Sequence, residues 1–152
     1  MKAKLVKENL QHFEKKSNHL SSLGVGKKAI IEKWLIDNNI HNFVINDDYT
    51  IDVNGDVNLN GFNKEKIVEL PSFIQFNIIK GWFDISNNEL ISIKGCPKII
   101  YESFSCQFNK LVTLEYCPKK VYMFFKCYHN NEKFSDKYIL SLCDVQKKYI
   151  MN

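Results

Sequence analysis

Five cysteines carry the most obvious chemical potential in this chain, because thiolates bind metals, form disulfides and act as nucleophiles. Four of them, Cys96, Cys106, Cys117 and Cys127, are spaced by ten, eleven and ten residues, and Cys143 follows. The chain has no Cys-x-x-Cys pair of the kind that zinc sites use. Buried reduced thiols, a zinc site and disulfides are the alternatives, and the regular spacing favours buried thiols.

Two further patterns suggest chemistry. Residues 56–61 match the first half of a calcium loop, but Ile67 stands where a bidentate Glu is required. Cys127 and His129 lie two residues apart and would share a strand face, which suggests a nucleophile pair, yet Cys127 falls on a repeating apolar position. No phosphate-binding glycine loop, Gly-x-Ser-x-Gly or His-Glu-x-x-His motif is present. We therefore predict no catalytic residue, no metal site and no cofactor, so an enzyme is not expected.

Composition is that of a globular protein. Of 152 residues, 45% are hydrophobic and 25% are charged, and no apolar run is long enough to span a membrane. All 21 basic residues are lysines, and the net charge is +4. Lysine lacks the planar guanidinium fork that favours phosphate and guanine, so the lysines are interpreted mainly as solvated, with a nucleic-acid footprint as the alternative. An odd cysteine count and the absence of a signal-peptide core predict a cytoplasmic protein.

Helices are predicted at both ends of the chain. Residues 4–39 form an N-terminal helical segment with a break at the glycines of residues 23–26, and its second helix ends at Asn38-Asn39. That second helix presents bulky residues at i, i+4 spacing: Ile30, Ile31, Trp34 and Leu35. Ser135 is a good N-cap, so residues 135–152 are predicted to form a C-terminal capping helix.

The middle of the chain is predicted to be β structure. Residues 43–45 form a β-prone run. Apolar residues then alternate with polar ones on both sides of Asn54-Gly55, which predicts a hairpin with its turn at that dipeptide. The apolar residues of this alternation are Ile51, Val53, Val57 and Leu59.

A 21-residue repeat is the strongest pattern in the chain. Residues 83–103 align with residues 104–124, a third copy begins at Phe125, and a degenerate copy covers residues 57–82. The matched pairs are Phe83/Phe104, Asn88/Asn109, Leu90/Leu111, Ile93/Leu114, Cys96/Cys117, Pro97/Pro118, Lys98/Lys119, Ile100/Val121 and Tyr101/Tyr122.

Such a period indicates a solenoid, in which each turn buries its apolar side only against its neighbours. The repeated asparagine predicts a ladder of side-chain amides bonded to turn backbone, and Cys-Pro predicts a buried thiol at a corner. The predicted fold class is α+β: a short leucine-rich-repeat-like β-solenoid with N-terminal helices and a C-terminal capping helix. The segments are residues 1–40 (helical), 41–134 (hairpin and solenoid) and 135–152 (cap).

Over residues 51–131 the repeats resemble those of short leucine-rich-repeat-like proteins of bacteriophages and prophages, with the pattern Phe-x-Cys-x-x-Asn-x-Leu-x-x-Leu-x-x-Cys-Pro. The lead-in at residues 45–57 is similar as well. Small phage proteins without enzymatic motifs often inhibit host defence. By analogy, the resemblance implies a non-catalytic inhibitor in the bacterial cytoplasm, and an anti-CRISPR protein that binds an RNA-guided nuclease, for example a type VI effector or its guide-RNA complex.

Strand alternation predicts which side chains face outward, and large aromatics among them indicate a protein-binding patch. The predicted protein-binding residues are Trp82, Asp84, Phe124, Lys126 and Tyr128. The alternative is that the terminal helices cover this face. A nucleic-acid-binding protein would instead use a lysine and aromatic surface formed by Lys98, Lys119, Lys120 and Tyr122. A phage structural or assembly component is a further alternative; a monomer that does not bind membranes is expected.

Overall fold

The computed structural model describes residue 15, residues 26–147 and residues 149–152 of the chain. In this part of the chain the helices are α1 (Lys27–Asp37) and α2 (Asp136–Leu142). The strands are β1 (Phe43–Ile45), β2 (Ile51–Val53), β3 (Val57–Asn58), β4 (Phe76–Ile79), β5 (Phe83–Asp84), β6 (Ile99–Ile100), β7 (Phe104–Ser105), β8 (Lys120–Val121), β9 (Phe124–Lys126), β10 (Asp144–Val145) and β11 (Tyr149–Met151).

The strands form two sheets, and the chain alternates between them. The first sheet has the order β1-β2-β4-β6-β8-β10, and the second has the order β3-β5-β7-β9-β11. All pairs are parallel except β1 with β2. Each turn therefore adds one strand to each sheet, and the chain makes a β-solenoid of about four turns. The solenoid prediction is confirmed.

The sequence repeat is the unit of stacking. Phe83 pairs with Phe104, and Phe104 pairs with Phe125, a step of 21 residues in each case. The degenerate early copy is also one turn, because Val57 pairs with Phe83. Repeated residues therefore lie directly above one another, which explains why the same residue type recurs at each position.

Three stacked phenylalanines occupy the centre of the core. Phe83, Phe104 and Phe125 are each fully buried, and we call them the inner row. Phe83 stacks on Phe104 with ring centroids 6.2 Å apart, and Phe104 meets Phe125 edge-on at 5.1 Å. Burial of each such side chain contributes about 1.5–3 kcal/mol. Since each ring packs against the ring of the next turn, a single turn could not exclude water from its own ring.

The predicted asparagine ladder is confirmed. Asn109 is buried, and its Nδ2 donates to the carbonyl oxygens of Ile85 and Cys106 at 3.0 and 3.1 Å. Its Oδ1 accepts the backbone N–H of Leu90 at 3.0 Å. Asn88 and Asn130 make the equivalent bonds one turn before and one turn after. The ladder thus satisfies buried backbone groups that the short strands leave unpaired.

The N-terminal helix prediction is confirmed where it can be compared. Ile30, Ile31, Trp34 and Leu35 form the buried side of α1. The helix ends as predicted, because Asn39 is left-handed (φ 57°) and the Ile40 N–H donates to the Leu35 carbonyl at 2.9 Å. The rest of the predicted N-terminal segment, residues 1–25 apart from residue 15, lies outside the described residues.

The predicted hairpin at Asn54-Gly55 is wrong. β2 and β3, which flank this dipeptide, belong to different sheets, so Asn54-Gly55 is a corner of the first turn. The antiparallel hairpin is instead β1 with β2. Val53 and Val57 face the same core from two different sheets. Their sequence therefore has the apolar alternation of a hairpin although the two strands do not pair.

The predicted C-terminal helix over residues 135–152 is too long. Ser135 caps α2 as expected, its Oγ accepting the Tyr138 N–H at 3.2 Å, but the helix covers only Asp136–Leu142. β10 and β11 follow and extend both sheets, pairing with β8 and β9. Residues 144–151 have a helical pattern of apolar residues, but parallel pairing with β8 and β9 determines the structure of β10 and β11. Because α2 lies between β9 and β10, within the last turn, its predicted capping role is not confirmed.

Candidate binding surface

The five residues predicted to bind a protein share the outward side of the second sheet, which we call the outer face. They lie in β5 and β9 or within two residues of these strands, at positions that alternate with buried residues. All five are partly exposed. They are Trp82, Asp84, Phe124, Lys126 and Tyr128. Alternation along parallel strands explains this placement, because the inner row already takes the opposite side.

Four residues form a line across the outer face, one per turn, which we call the outer row: Trp82, Ser103, Phe124 and Tyr149. Tyr149 pairs with Phe124, and the Phe124 N–H lies 3.4 Å from Ser103 Oγ. The rings of Phe124 and Tyr149 stack, with centroids 4.9 Å apart and planes at 21°. Tyr149 remains 52% exposed. This end of the face is therefore open to solvent in the described structure.

Beside the stacked rings, the outer face carries a cation and a flexible apolar side chain. Lys126 Nζ lies 5.6 Å from the centre of the Phe124 ring. Met151 pairs with Lys126 across the neighbouring strands and is exposed. Aromatic and methionine side chains at an open sheet surface are typical of protein interfaces.

A second aromatic group borders the outer face. Phe108 stacks on His129 with centroids 4.7 Å apart, and Tyr128 meets Phe108 edge-on at 5.3 Å. Phe108 has φ 54°, a left-handed conformation that costs a residue with a Cβ about 1–2 kcal/mol. Asn87 and His129 are also left-handed one turn to either side. The repeated turn geometry imposes this strain, and it leaves a phenylalanine exposed.

The other end of the outer face is polar and internally bonded. Asp84 Oδ1 accepts the N–H and the Oγ–H of Ser86 at 2.8 and 2.5 Å, and Asn60 Nδ2 donates to Ser86 Oγ at 2.8 Å. Asp56 Oδ1 accepts the Trp82 N–H at 3.0 Å. Apart from Trp82, the face therefore changes from hydrogen-bonded polar groups in the early turns to aromatic groups in the late turns.

One acceptor on this side of the sheet has no partner. Gln107 Oε1 is buried without a hydrogen-bond donor among the described residues. Gln107 belongs to the turn between Ser86 and Tyr128, where the polar part of the face meets the aromatic part. Buried polar atoms are nearly always bonded, so an acceptor that lacks a donor among the described residues is unusual.

The predicted nucleic-acid residues lie at the corner that leads from the first sheet to the second and on its approach. Tyr122 stacks on Tyr101 at 5.0 Å with planes at 12°, and Lys120 Nζ lies 4.9 Å from the Tyr122 ring. Lys80 lies 4.0 Å from the Tyr101 ring. Lys120 also approaches Asp144 at 3.8 Å. Lys98 and Lys119 are exposed on successive turns, joined by a 2.8 Å backbone bond from the Lys119 N–H to the Lys98 carbonyl.

All five cysteines are buried free thiols. Burial raises the pKa of Cys96 and Cys106 well above the ordinary value, and it raises the pKa of Cys117 to about 11 and of Cys127 and Cys143 to about 12. Thiols in this state are poor nucleophiles. The neighbouring Cys127 and His129 do not form an activated pair, because Cys127 is in the core whereas His129 is exposed and stacked on Phe108.

The calcium-loop pattern folds as a corner and a strand. Asp56 bonds to the Trp82 backbone, Asn58 Oδ1 accepts the Asn60 N–H at 3.1 Å, and Ile67 packs against the core. Within the described residues, no group of three or more His, Cys, Asp or Glu side chains has the geometry to hold a metal ion. No described helix is long and apolar enough to cross a membrane.

Tyr149 and Met151 are surface residues that the sequence prediction missed, because residues 135–152 were assigned to a helix. The available signal was Ile150, which pairs with Phe125 as an apolar residue one turn later. Phe108 was missed because its exposure follows from left-handed backbone, which sequence periodicity does not predict.

Comparison with known proteins adds no relative: no protein-family model, curated protein or solved structure matches this chain.

Proposed function

We propose that this protein is a non-catalytic binding protein that holds a protein partner on its outer face. The observation that carries the proposal is the Phe124–Tyr149 stack, in which two aromatic rings lie 4.9 Å apart although Tyr149 is half exposed. Aromatic side chains have few rotatable bonds, so they lose little conformational entropy on binding, and they are favoured anchors of interfaces.

The solenoid supports this role because it supplies rigidity. Each turn bonds to its neighbours through the backbone, for example from the Phe83 N–H to the Ser103 carbonyl at 2.9 Å. A stable complex needs about 800 Å² on each partner, and the outer face with its bordering Phe108 group extends over five strands of the second sheet. A pre-formed surface of this kind binds without the cost of folding.

The partner class follows from the resemblance of the repeats to small phage proteins, and it remains an inference by analogy. Under this proposal the chain is leucine-rich-repeat-like and acts in a bacterial cell. It inhibits a host defence protein, with an RNA-guided nuclease such as a type VI effector as the first candidate. It would act as an anti-CRISPR protein by covering the guide or target channel, with no chemistry of its own.

The test compares surface variants in capture from nuclease-treated bacterial lysate. We expect wild type to retain a specific protein, and Phe124→Ala/Tyr149→Ala and Trp82→Ala/Phe124→Ala to lose it. Ile91→Ser/Val112→Ser is the matched control, since these exposed apolar residues lie on another side of the coil. Equal capture by all variants would overturn the proposed surface.

A second assay tests the partner class with purified components. RNA cleavage by a purified type VI effector is measured with increasing amounts of wild type and of Phe124→Ala/Tyr149→Ala. We expect wild type alone to inhibit at a stoichiometric ratio. Full cleavage in the presence of wild type would remove this nuclease class from the proposal. An apparent molar mass from light scattering that rises with protein concentration would instead favour the self-associating structural component.

The Tyr101–Tyr122 corner favours a second function, which is single-stranded nucleic-acid binding. Two stacked rings with Lys80 and Lys120 over them combine the aromatic and cationic groups that such sites use. Against this function, the rings cover each other and Lys120 also faces Asp144. Binding to a short RNA that falls steeply with salt, and that Tyr122→Ala/Lys120→Ala removes, would favour this function over the protein partner.

A further inference from the structure

The outer row contains a gap the size of one side chain. Trp82, Ser103 and Phe124 occupy three successive turns, so a small serine stands between two large aromatic residues. Adjacent strands are about 4.8 Å apart, which places Trp82 and Phe124 about 9.6 Å apart along the sheet. A flat group between two aromatic rings needs about 7–8 Å. The gap therefore has room for one planar group.

The two aromatic residues on either side of the gap differ in their neighbours. Phe124 is backed by Tyr149 at 4.9 Å, which fixes its ring. Trp82 is partly exposed, and it forms no ring stack with another described aromatic residue and no cation–π pair with a described lysine. Among aromatic side chains, the indole of tryptophan is the best partner for a cation.

The charges around Trp82 select a cationic ligand. Asp56 lies beside Trp82, bonded to its backbone N–H, and Asp84 follows two residues later on the same face. Neither carboxylate forms an ion pair with a lysine in the described part of the chain. Lys126 is the cation beside Phe124, at the other wall. A positive group that stacks on Trp82 would therefore meet two uncompensated carboxylates.

We propose that the Trp82–Ser103–Phe124 gap binds an arginine side chain of the partner protein. The guanidinium is planar, is weakly hydrated and stacks on aromatic rings, whereas the lysine ammonium is compact and strongly hydrated. These 152 residues contain no arginine, so neither they nor a second copy of them can supply the ligand. The assignment rests on the proposed function and names the partner's chemistry.

The test is an NMR titration with N-acetyl-arginine amide as the probe. The two tryptophans provide an internal control, because Trp34 is buried whereas Trp82 lines the gap. We expect the Trp82 indole N–H and the Ser103 amide to shift saturably at millimolar probe, with Trp34 unchanged. N-acetyl-lysine amide should bind at least threefold more weakly, and Lys126→Ala should tighten arginine binding.

Variants that fill the gap complete the test. Ser103→Phe, and Ser103→Val as a smaller filler, should abolish the Trp82 shift, whereas Ser141→Phe on α2 should leave it unchanged. The amide spectrum of each variant reports whether it is folded. Equal shifts with arginine and lysine probes, or a shift that persists in a folded gap-filled variant, would overturn the proposal.

Binding of adenosine monophosphate in place of the arginine probe would also overturn it and would indicate nucleic acid. If the arginine probe fails while the outer-face variants still lose the captured protein, only the arginine assignment fails.

Discussion

The inner row and the outer row use the same strands of the second sheet, yet their sequences behave differently. The inner row is Phe83, Phe104 and Phe125, identical over three turns and fully buried, and apolar Val57 and Ile150 continue it at its two ends. The outer row is Trp82, Ser103, Phe124 and Tyr149, in which one small residue interrupts three aromatic ones. Stacking on both sides constrains a buried ring to one shape, whereas an exposed position tolerates any side chain. Packing therefore leaves the side chains of the outer row free to serve binding.

The largest expected effect separates the two rows by stability. Phe104→Ala should destabilise the protein by about 3–5 kcal/mol, because it leaves a cavity between two stacked neighbours. Phe124→Ala should cost less than about 1 kcal/mol while abolishing partner capture. Urea denaturation of both variants measures the difference, and equal losses of stability would show that the outer row is part of the core.

The asparagine ladder is expected to have the next largest effect. Asn109→Asp keeps the acceptor for the Leu90 N–H but cannot donate to the carbonyls of Ile85 and Cys106. Both carbonyls keep a second amide donor, from Asn88 and Asn130, but the buried carboxylate oxygen would face them with no proton to donate. A buried unsatisfied group costs about 1–3 kcal/mol and a charged one more, so we expect a loss of about 2–4 kcal/mol at neutral pH. Asn87→Asp, at a more exposed neighbouring position, is the control and should change stability little. A tolerated Asn109→Asp would contradict the assigned hydrogen bonds.

The buried thiols predict a loss of stability at alkaline pH. Folding raises the pKa of Cys117 to about 11 and of Cys143 to about 12, so above pH 9 the unfolded chain loses protons first. Stability is therefore complete below about pH 9 and falls as the pH rises, by up to about 1.4 kcal/mol per unit for each thiol. Urea titrations from pH 8 to 11 should show a shallower fall for Cys143→Ala than for wild type. Identical slopes would contradict this thiol's burial.

The smallest expected change in stability is at Tyr116. Gly95 is the repeat-related position one turn earlier, at the same corner of the coil. Gly95 has φ 93°, and an added Cβ would lie 2.7 Å from the Ile74 carbonyl oxygen, so Gly95→Ala should destabilise by about 1–2 kcal/mol. Tyr116, one turn later, has φ 69° and is exposed. Tyr116→Gly should therefore stabilise the protein slightly, by less than about 1 kcal/mol, because glycine relieves the left-handed strain. Opposite signs in thermal unfolding would sharpen the distinction between required and tolerated residues.

The stack of turns could be predicted from sequence because each turn repeats the same physical requirement. Phe104, Asn109 and Cys117 recur at a fixed step since each must fit above its counterpart. The ends could not be predicted in the same way. Asn54-Gly55 forms a corner in place of a hairpin, and residues 149–151 form a strand in place of a helix, because pairing partners distant in sequence decide both.

The candidate surface was predictable only in part. Alternation with the inner row places Trp82 and Phe124 on one side of the sheet, so their exposure follows from local sequence. Their relation to Tyr149 does not, because β11 reaches the sheet only after α2 has returned the chain to it. The gap at Ser103 likewise becomes visible only once the register shows which residues are neighbours.

Hydroxyl-radical footprinting of the captured complex tests the proposed division between rows most directly. We predict that Trp82, Phe124 and Tyr149 lose reactivity several-fold when the partner binds, while exposed Ile91 and Val112 react as in the free protein. Protection confined to Ile91 and Val112, with the outer row as reactive as before, would contradict the account.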